Sequence, residues 1–251
     1  MRDFGLYLVI TDPVAGYAKC TEAAVRAGVR FVQLRMKHAS QAEILREARE
    51  MRRITARTDT LFIVNDDPEI AVEVKADGVH VGQGDMRPSE VRRRYPELKI
   101  VGLSTHNPAQ VLASLKEPVD YIGVGPVYAT PTKDIPDPVL GLKTMSEMIR
   151  LSDRPAVAIG GIDVVRLPDV IGAGARNYAI VRAVCRSQDP HRAIELLKVA
   201  ASLGIQGRRG SENGRKQGFA TDGGVRGAIR EFASANLKRG KGLKTGDFEC
   251  V

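Results

Sequence analysis

Along this chain an apolar run repeatedly breaks off into a cluster of charged, amide or glycine residues, and that alternation restricts the fold more than any other feature. Gln33-Leu34-Arg35-Met36-Lys37 closes one run and Asn65-Asp66-Asp67 the next. His80-Val81-Gly82-Gln83-Gly84-Asp85, Gly102-Leu103-Ser104, Thr130-Pro131-Thr132-Lys133 and Gly160-Gly161 follow in order. The runs lie near 6–11, 31–35, 61–66, 78–82, 99–105, 121–127, 156–161 and 177–184. Several, such as Leu61-Phe62-Ile63-Val64, are continuously apolar, as strands buried on both faces must be. Between them lie stretches of helical period. In Gln41–Arg57, for example, Ile44, Leu45, Ala48, Met51 and Ile54 recur at helical spacing. Others are Ser89–Tyr95, Pro108–Leu115, Thr144–Leu151 and His191–Ala201. Asn107-Pro108 and Asp189-Pro190 each offer a capping side chain followed by proline at the first helical position. Eight strands, each followed by a helix or helical turn, predict a closed (β/α)8 TIM barrel rather than an open doubly wound sheet.

At 251 residues the chain is long enough for one such barrel or for two small domains, so length does not choose. The run Leu6–Ile10 is too short to span a bilayer or to serve as a signal segment, and acidic Asp3 precedes it. Cys20, Cys185 and Cys250 are scattered, odd in number and without metal-ligand spacing, which predicts a reduced, cytoplasmic setting. From Ile205 onward ten Lys or Arg stand against five Asp or Glu, so this stretch carries +5 of the net +8. The expected organisation is a catalytic barrel over 1–204 and a basic, glycine-rich, flexible tail over 205–251. Composition alone gives little weight to a nucleic-acid or partner-binding role for that tail.

In such a barrel the C-terminal ends of the strands share one face, where active sites are built, so clusters far apart in sequence converge. Asp66 and Asp85 end neighbouring strands. Two carboxylates there suit Mg2+, which takes oxygen ligands and leaves room for water and a substrate phosphate; the plainer reading is that each caps the following helix. Asp67, just before Pro68, reads as a cap. Gln33, Arg35 and Lys37 alternate onto one face, where charge is costly unless it meets an anion, and a guanidinium with an ammonium suits a diphosphate. Asn65 and His80 are candidates to orient a ring nitrogen or an exocyclic amine, although His80 reads equally as a structural residue. Thr130, Thr132 and Lys133 resemble a phosphate-gripping loop. Gly160-Gly161 would let backbone N–H groups approach an anion, though a tight turn explains the pair equally well.

Taken together, these motifs resemble the thiamine-phosphate synthase family over about residues 6–200, with Gly125-Pro126-Val127 and Ile159–Ile162 adding to the match. The resemblance implies a (β/α)8 barrel that couples a pyrimidine diphosphate to a thiazole phosphate and releases pyrophosphate. Under it, Gln33, Arg35 and Lys37, with Asn65, Ser104 and Lys133, hold the pyrimidine diphosphate. Leu34, Met36, His80 and Pro131 fall within the same substrate-contacting segments. Asp66 and Asp85 bind Mg2+, and Thr130, Thr132 and the Gly161 backbone bind the thiazole phosphate. Arg35, Lys37, Ser104 and Lys133 are the residues expected to act on the reacting groups.

One position departs from the family. Where many members carry a phosphate-binding serine after the last strand, this chain has Val181-Arg182, and Arg182 is expected to grip the phosphate directly. Apart from some other phosphosugar-binding barrel enzyme, which leaves the paired aspartates and the second anion cluster unexplained, two readings compete with the synthase. One is a thiazole tautomerase, a related barrel that typically lacks the metal-binding aspartates. The other is a regulator that uses the basic tail. The expected partners are small molecules rather than membrane or nucleic acid, with homo-oligomerisation left open.

Overall fold

In the computed structural model, which describes residues 3–130, 137–212 and 227, strand and helix alternate along the chain. The order runs β1 (Gly5–Ile10), α1 (Tyr17–Arg26), β2 (Phe31–Leu34), α2 (Gln41–Thr55), β3 (Leu61–Asn65), α3 (Pro68–Glu73), β4 (Gly78–Val81) and α4 (Pro88–Arg94). It continues β5 (Ile100–Thr105), α5 (Pro108–Ser114), β6 (Tyr121–Val124), α6 (Gly141–Leu151), β7 (Ala156–Ala158), α7 (Leu167–Gly172), β8 (Asn177–Ile180), α8 (Arg182–Cys185) and α9 (Pro190–Glu212). All strands are parallel and pair in chain order. β8 returns to β1 with Gly5 opposite Asn177 and Leu8 opposite Ile180. The expected (β/α)8 barrel is the fold.

Period-2 alternation splits the apolar residues between two cores. Leu8, Ile10, Val32, Leu34, Phe62 and Val64 face outward onto the helices. Tyr7, Val9, Phe31, Ile63, Ile100, Tyr121, Val157 and Ala179 fill the lumen. The helices bring their apolar stripes to the outer core. Thus α2 buries Ala48, Met51 and Thr55 and starts on a capping box, in which Ser40 Oγ accepts from Glu43 N and Glu43 accepts from Ser40 N. Asn107 caps α5 and Asp189 accepts from Arg192 N at the start of α9, each beside its proline, as the sequence predicts.

Three runs are shorter than expected by three residues or more; β7 stops at Ala158, just before the Gly160-Gly161 turn. β6 stops at Val124, because Pro126 has no N–H to continue a ladder. β8 stops at Ile180, and the backbone turns at Val181 (φ −121, ψ −84) into the short α8. The six-residue helices α3 and α7 are too brief for a period to register in sequence. α9 continues through Glu212, beyond the compositional change at 205. The tail expected to be flexible otherwise lies outside the described residues, as do Pro131, Thr132 and Lys133. No helix among the described residues is long and apolar enough to cross a membrane.

Carboxylates brace the face opposite the strand C-termini. Asp77 Oδ2 accepts from Phe62 N at 2.8 Å and from Arg52 Nη1 at 2.9 Å. Asp120 accepts from Val101 N at 2.7 Å and from Arg92. Because Phe62 is fully buried, Asp77→Ala leaves its N–H without an acceptor or a route to water. The expected cost is about 2 kcal/mol, roughly 4–8 °C in Tm, with kcat unchanged. Thermal unfolding together with steady-state kinetics checks both parts; an unchanged Tm would show that the clamp adds nothing.

Candidate active site

The C-terminal ends of the strands open into a cavity of about 1080 Å³. Its wall includes Gln33, Arg35, Lys37, Asn65, Asp66, His80, Asp85 and Ser104 on one side, and Thr130, Gly161, Val181 and Arg182 on the other. The residues that the sequence scatters over 150 positions therefore share one space. Leu34 and Met36, expected with them, turn the other way: Leu34 is buried in the outer core and Met36 packs against it. Alternation along the strand sends their side chains to the helices, so only their main chain is on the side of the cavity.

At the β3 and β4 ends, two carboxylates and an ammonium form one cluster. Asp66 sits one residue past β3, held by its own N–H donating to His80 O at 2.8 Å. Its φ of +64 is the left-handed region, which aspartate tolerates better than most residues. Lys37 donates to its carboxylate. Asp85 Oδ2 accepts from Gly82 N at 2.7 Å. Burial first, and the adjoining Asp66 carboxyl second, hold the Asp85 carboxyl above the usual carboxylate range. Neither aspartate caps a helix: Asp67 caps α3 by accepting from Ile70 N at 2.8 Å, and Arg87 stands at the cap position of α4. The plain capping reading of Asp66 and Asp85 thus gives way to one of two acidic groups crowded together. No group of three or more His, Cys, Asp or Glu converges among the described residues, so a cation here would rely on this pair and on ligand or water oxygens.

Across the barrel, β7 ends in a turn that only glycine allows. Gly160 has φ +100 and Gly161 φ +64, and a Cβ on Gly161 would lie 2.7 Å from both Ala129 O and Tyr128 Cβ. Arg166 braces this turn, donating to Gly161 O at 2.9 Å while its guanidinium lies 5.0 Å over the Tyr128 ring. Arg182 and Arg186 are exposed along the same wall. Arg192 lines it too, and its Nε and Nη2 are buried with no hydrogen-bond partner among the described residues. Such donors are costly to leave unpaired, and an anion at this end would satisfy them.

The floor is polar, which the sequence reading missed. By sequence Tyr7 and Tyr121 belong to apolar strands, yet their hydroxyls meet at 2.9 Å in the lumen. Gln33 Nε2 donates to Tyr7 Oη at 2.8 Å, and His80 lies 3.0 Å from Tyr121 Oη and 2.9 Å from Ser104 Oγ. The inward parity of Tyr7 with Val9 was the available signal. His106, on the rim, was also missed; its Nδ1 lies 2.7 Å from Gly125 O. The buried cysteines take no part, since burial pushes the Cys20 thiol up to about 11 and Cys185 up to about 12.

A sequence model of the family described as thiamine monophosphate synthase matches residues 6–184. Among curated proteins, the thiamine-phosphate synthase of Gloeobacter violaceus is 43% identical over 187 residues, which is 74% of this chain and 54% of that protein. The chain thus spans about half the length of that relative. The thiamine-phosphate synthase of Chloroflexus aurantiacus is 40% identical over 207 residues, 80% of this chain and 94% of that protein. Among solved structures, thiamine phosphate pyrophosphorylase from Pyrococcus furiosus superposes with a TM-score of 0.74 at 28% identity, covering 81% of this chain and 98% of that one.

Proposed function

The chain belongs to the thiamine monophosphate synthase family, and from that premise we propose that it is a thiamine-phosphate synthase. It couples 4-amino-2-methyl-5-hydroxymethylpyrimidine diphosphate to a thiazole phosphate, plain or carboxylated, giving thiamine phosphate and pyrophosphate. The observation that carries this reading is the pairing of two sites in one cavity. Asp66, Asp85 and Lys37 gather at the ends of β3 and β4, and Gly160-Gly161 with Arg182 lie at the ends of β7 and β8. In a closed barrel of eight strands these pairs are diametrically opposed.

The reaction explains why the cavity holds cations and amides rather than an activated nucleophile. The bond from the pyrimidinyl methylene to the diphosphate breaks with its electron pair on the leaving oxygen. A resonance-stabilised carbocation remains, and the thiazole nitrogen supplies the pair for the new bond. The protein must therefore neutralise the leaving group, hold the two rings in line and exclude water. Arg35, Lys37 and Lys133 meet the diphosphate, and Gln33, Asn65 and Ser104 fix the pyrimidine end, with His80 behind Ser104. Thr130, Thr132 and the Gly161 backbone hold the thiazole phosphate together with Arg182. Asp66 and Asp85 fit a hard divalent cation, because their crowding is relieved by positive charge between them. Mg2+ bound there supplies further charge neutralisation for the departing diphosphate.

The test is pyrophosphate release by the purified chain given both substrates, first with Mg2+ and then with EDTA. Equal amounts of thiamine phosphate and pyrophosphate, abolished by EDTA, are the expected result. Folded protein that releases neither in Mg2+ would overturn the synthase reading, and conversion of the thiazole alone would put the tautomerase reading in its place. Arg182→Ser is expected to raise KM for the thiazole phosphate about tenfold, the loss of one charge-assisted hydrogen bond. An unchanged KM would remove Arg182 from the site.

A further inference from the structure

A single line of hydrogen bonds crosses the cavity floor from Gln33 on β2 to Ser104 on β5, through Tyr7, Tyr121 and His80. Its links are 2.8, 2.9, 3.0 and 2.9 Å. Gln33, Tyr7 and Tyr121 are 4%, 2% and 0% exposed, so water does not compete for these groups. Each hydroxyl carries one proton, and a neutral imidazole has one donor and one acceptor nitrogen. Where every buried proton is to find an acceptor, the direction of one link sets the direction of the others.

Gln33 sets that direction by whichever atom of its amide meets Tyr7. With Nε2 donating to Tyr7, the arrangement that leaves no buried hydroxyl proton unpaired has Tyr7 donating to Tyr121 and Tyr121 donating to His80 Nδ1. An accepting Nδ1 places the imidazole proton on Nε2, which donates to Ser104 Oγ. The Ser104 proton is then left pointing into the cavity. Both phenols are held well above the ordinary tyrosine range by burial, so both keep the protons this arrangement requires. With Nε2 on Tyr7, the amide oxygen of Gln33 remains to accept from a donor on a ligand. A ligand with an acceptor at that place would turn the amide over and reverse every link, leaving Ser104 donating inward to His80.

We propose that this line is a polarity relay: recognition of a hydrogen-bond donor, such as an aromatic amine, at Gln33 sets Ser104 as a donor toward the reacting end of the substrate. Tyr7, Tyr121 and His80 are its positioning residues. The inference rests on the synthase reading and adds a basis for specificity. An analogue with an oxo group in place of the amine is penalised in kcat at Ser104 as well as in binding at Gln33.

The decisive measurement is the tautomer of His80 in 15N-histidine-labelled wild-type protein, read from two-bond proton–nitrogen correlations at neutral pH. The Nε2–H form is expected; the Nδ1–H form or the imidazolium would overturn the relay. Tyr7→Phe and Tyr121→Phe are each expected to lower kcat roughly tenfold, with KM for the diphosphate substrate within about twofold. The double variant should be no slower than the slower single variant, because both cut one line. Multiplied losses, or a change confined to a higher KM with kcat unaltered, would overturn the relay. If a phenylalanine variant does not fold, the wild-type tautomer still decides. An inactive wild-type protein with the Nε2–H form would sink the synthase reading while leaving the polarity of the line in place, and an active one with the Nδ1–H form would overturn the relay and keep the synthase reading.

Discussion

Asp66→Asn is expected to lower kcat for pyrophosphate release by two to four orders of magnitude at fixed Mg2+ while leaving the barrel folded. The substitution removes one of two crowded carboxylates and the partner of Lys37 together. A cation that neutralises a leaving diphosphate is worth several kcal/mol in the transition state, and each 1.4 kcal/mol is tenfold in rate. Asparagine is the informative replacement, because the backbone there has φ +64, which asparagine accepts and alanine resists by about 1 kcal/mol. α3 should be unaffected, since Asp67 is the residue that caps it. Unchanged thermal unfolding alongside the kinetic loss would assign the effect to charge. Activity within threefold of wild type would mean that the paired aspartates do not hold the metal, and raising Mg2+ should then rescue nothing.

A large structural effect is expected at Gly102. A Cβ there would lie 2.2 Å from Tyr121 Cζ, 2.4 Å from its hydroxyl and 2.5 Å from His80 Nδ1. Tyr121 is fully buried, so its ring cannot swing into solvent to relieve the contact. Gly102→Ala must displace the ring, the imidazole or the strand, and it breaks the hydrogen bonds at Tyr121 in doing so. The expected cost is about 3 kcal/mol or more, roughly 6–12 °C in Tm, with activity lost in whatever folds. Gly84→Ala is the control: its Cβ meets nothing within 4 Å, and its stability should stay within about 0.5 kcal/mol. Equal melting temperatures for the two variants would show slack in the lumen that the contacts do not suggest.

Gly102 is a residue whose role no local pattern encodes. In sequence it was the first residue of a Gly-Leu-Ser cluster at a strand end; in the barrel it makes room for an aromatic ring contributed by β6. The small inward residues Gly78, Gly102 and Gly123 lie among large ones, and which pairs meet depends on the stagger of strands around the closed sheet. Tyr7 and Tyr121 are 114 residues apart, and nothing local marks them as partners. Arg192 is similar: a first-turn helical arginine by sequence, it is a cavity-wall cation with donors unpaired among the described residues because α9 packs against α7, α1 and α8.

What the sequence determined by itself was the order of elements and the residues that stand at the strand ends. Apolar runs of strand length, the helical period and caps such as Asn107-Pro108 are local properties, and local steric and hydrogen-bonding preferences suffice to read them. It also placed Gln33, Arg35, Lys37, Asn65, Asp66, His80, Asp85, Ser104 and Arg182 on one face, since every strand of a parallel barrel ends on the same side. Tertiary structure alone decided that Asp66 and Asp85 crowd together and that a polar line runs beneath the site from Gln33 to Ser104. Those relations depend on closure and register, which bring together side chains from strands far apart in the chain at distances no local pattern encodes.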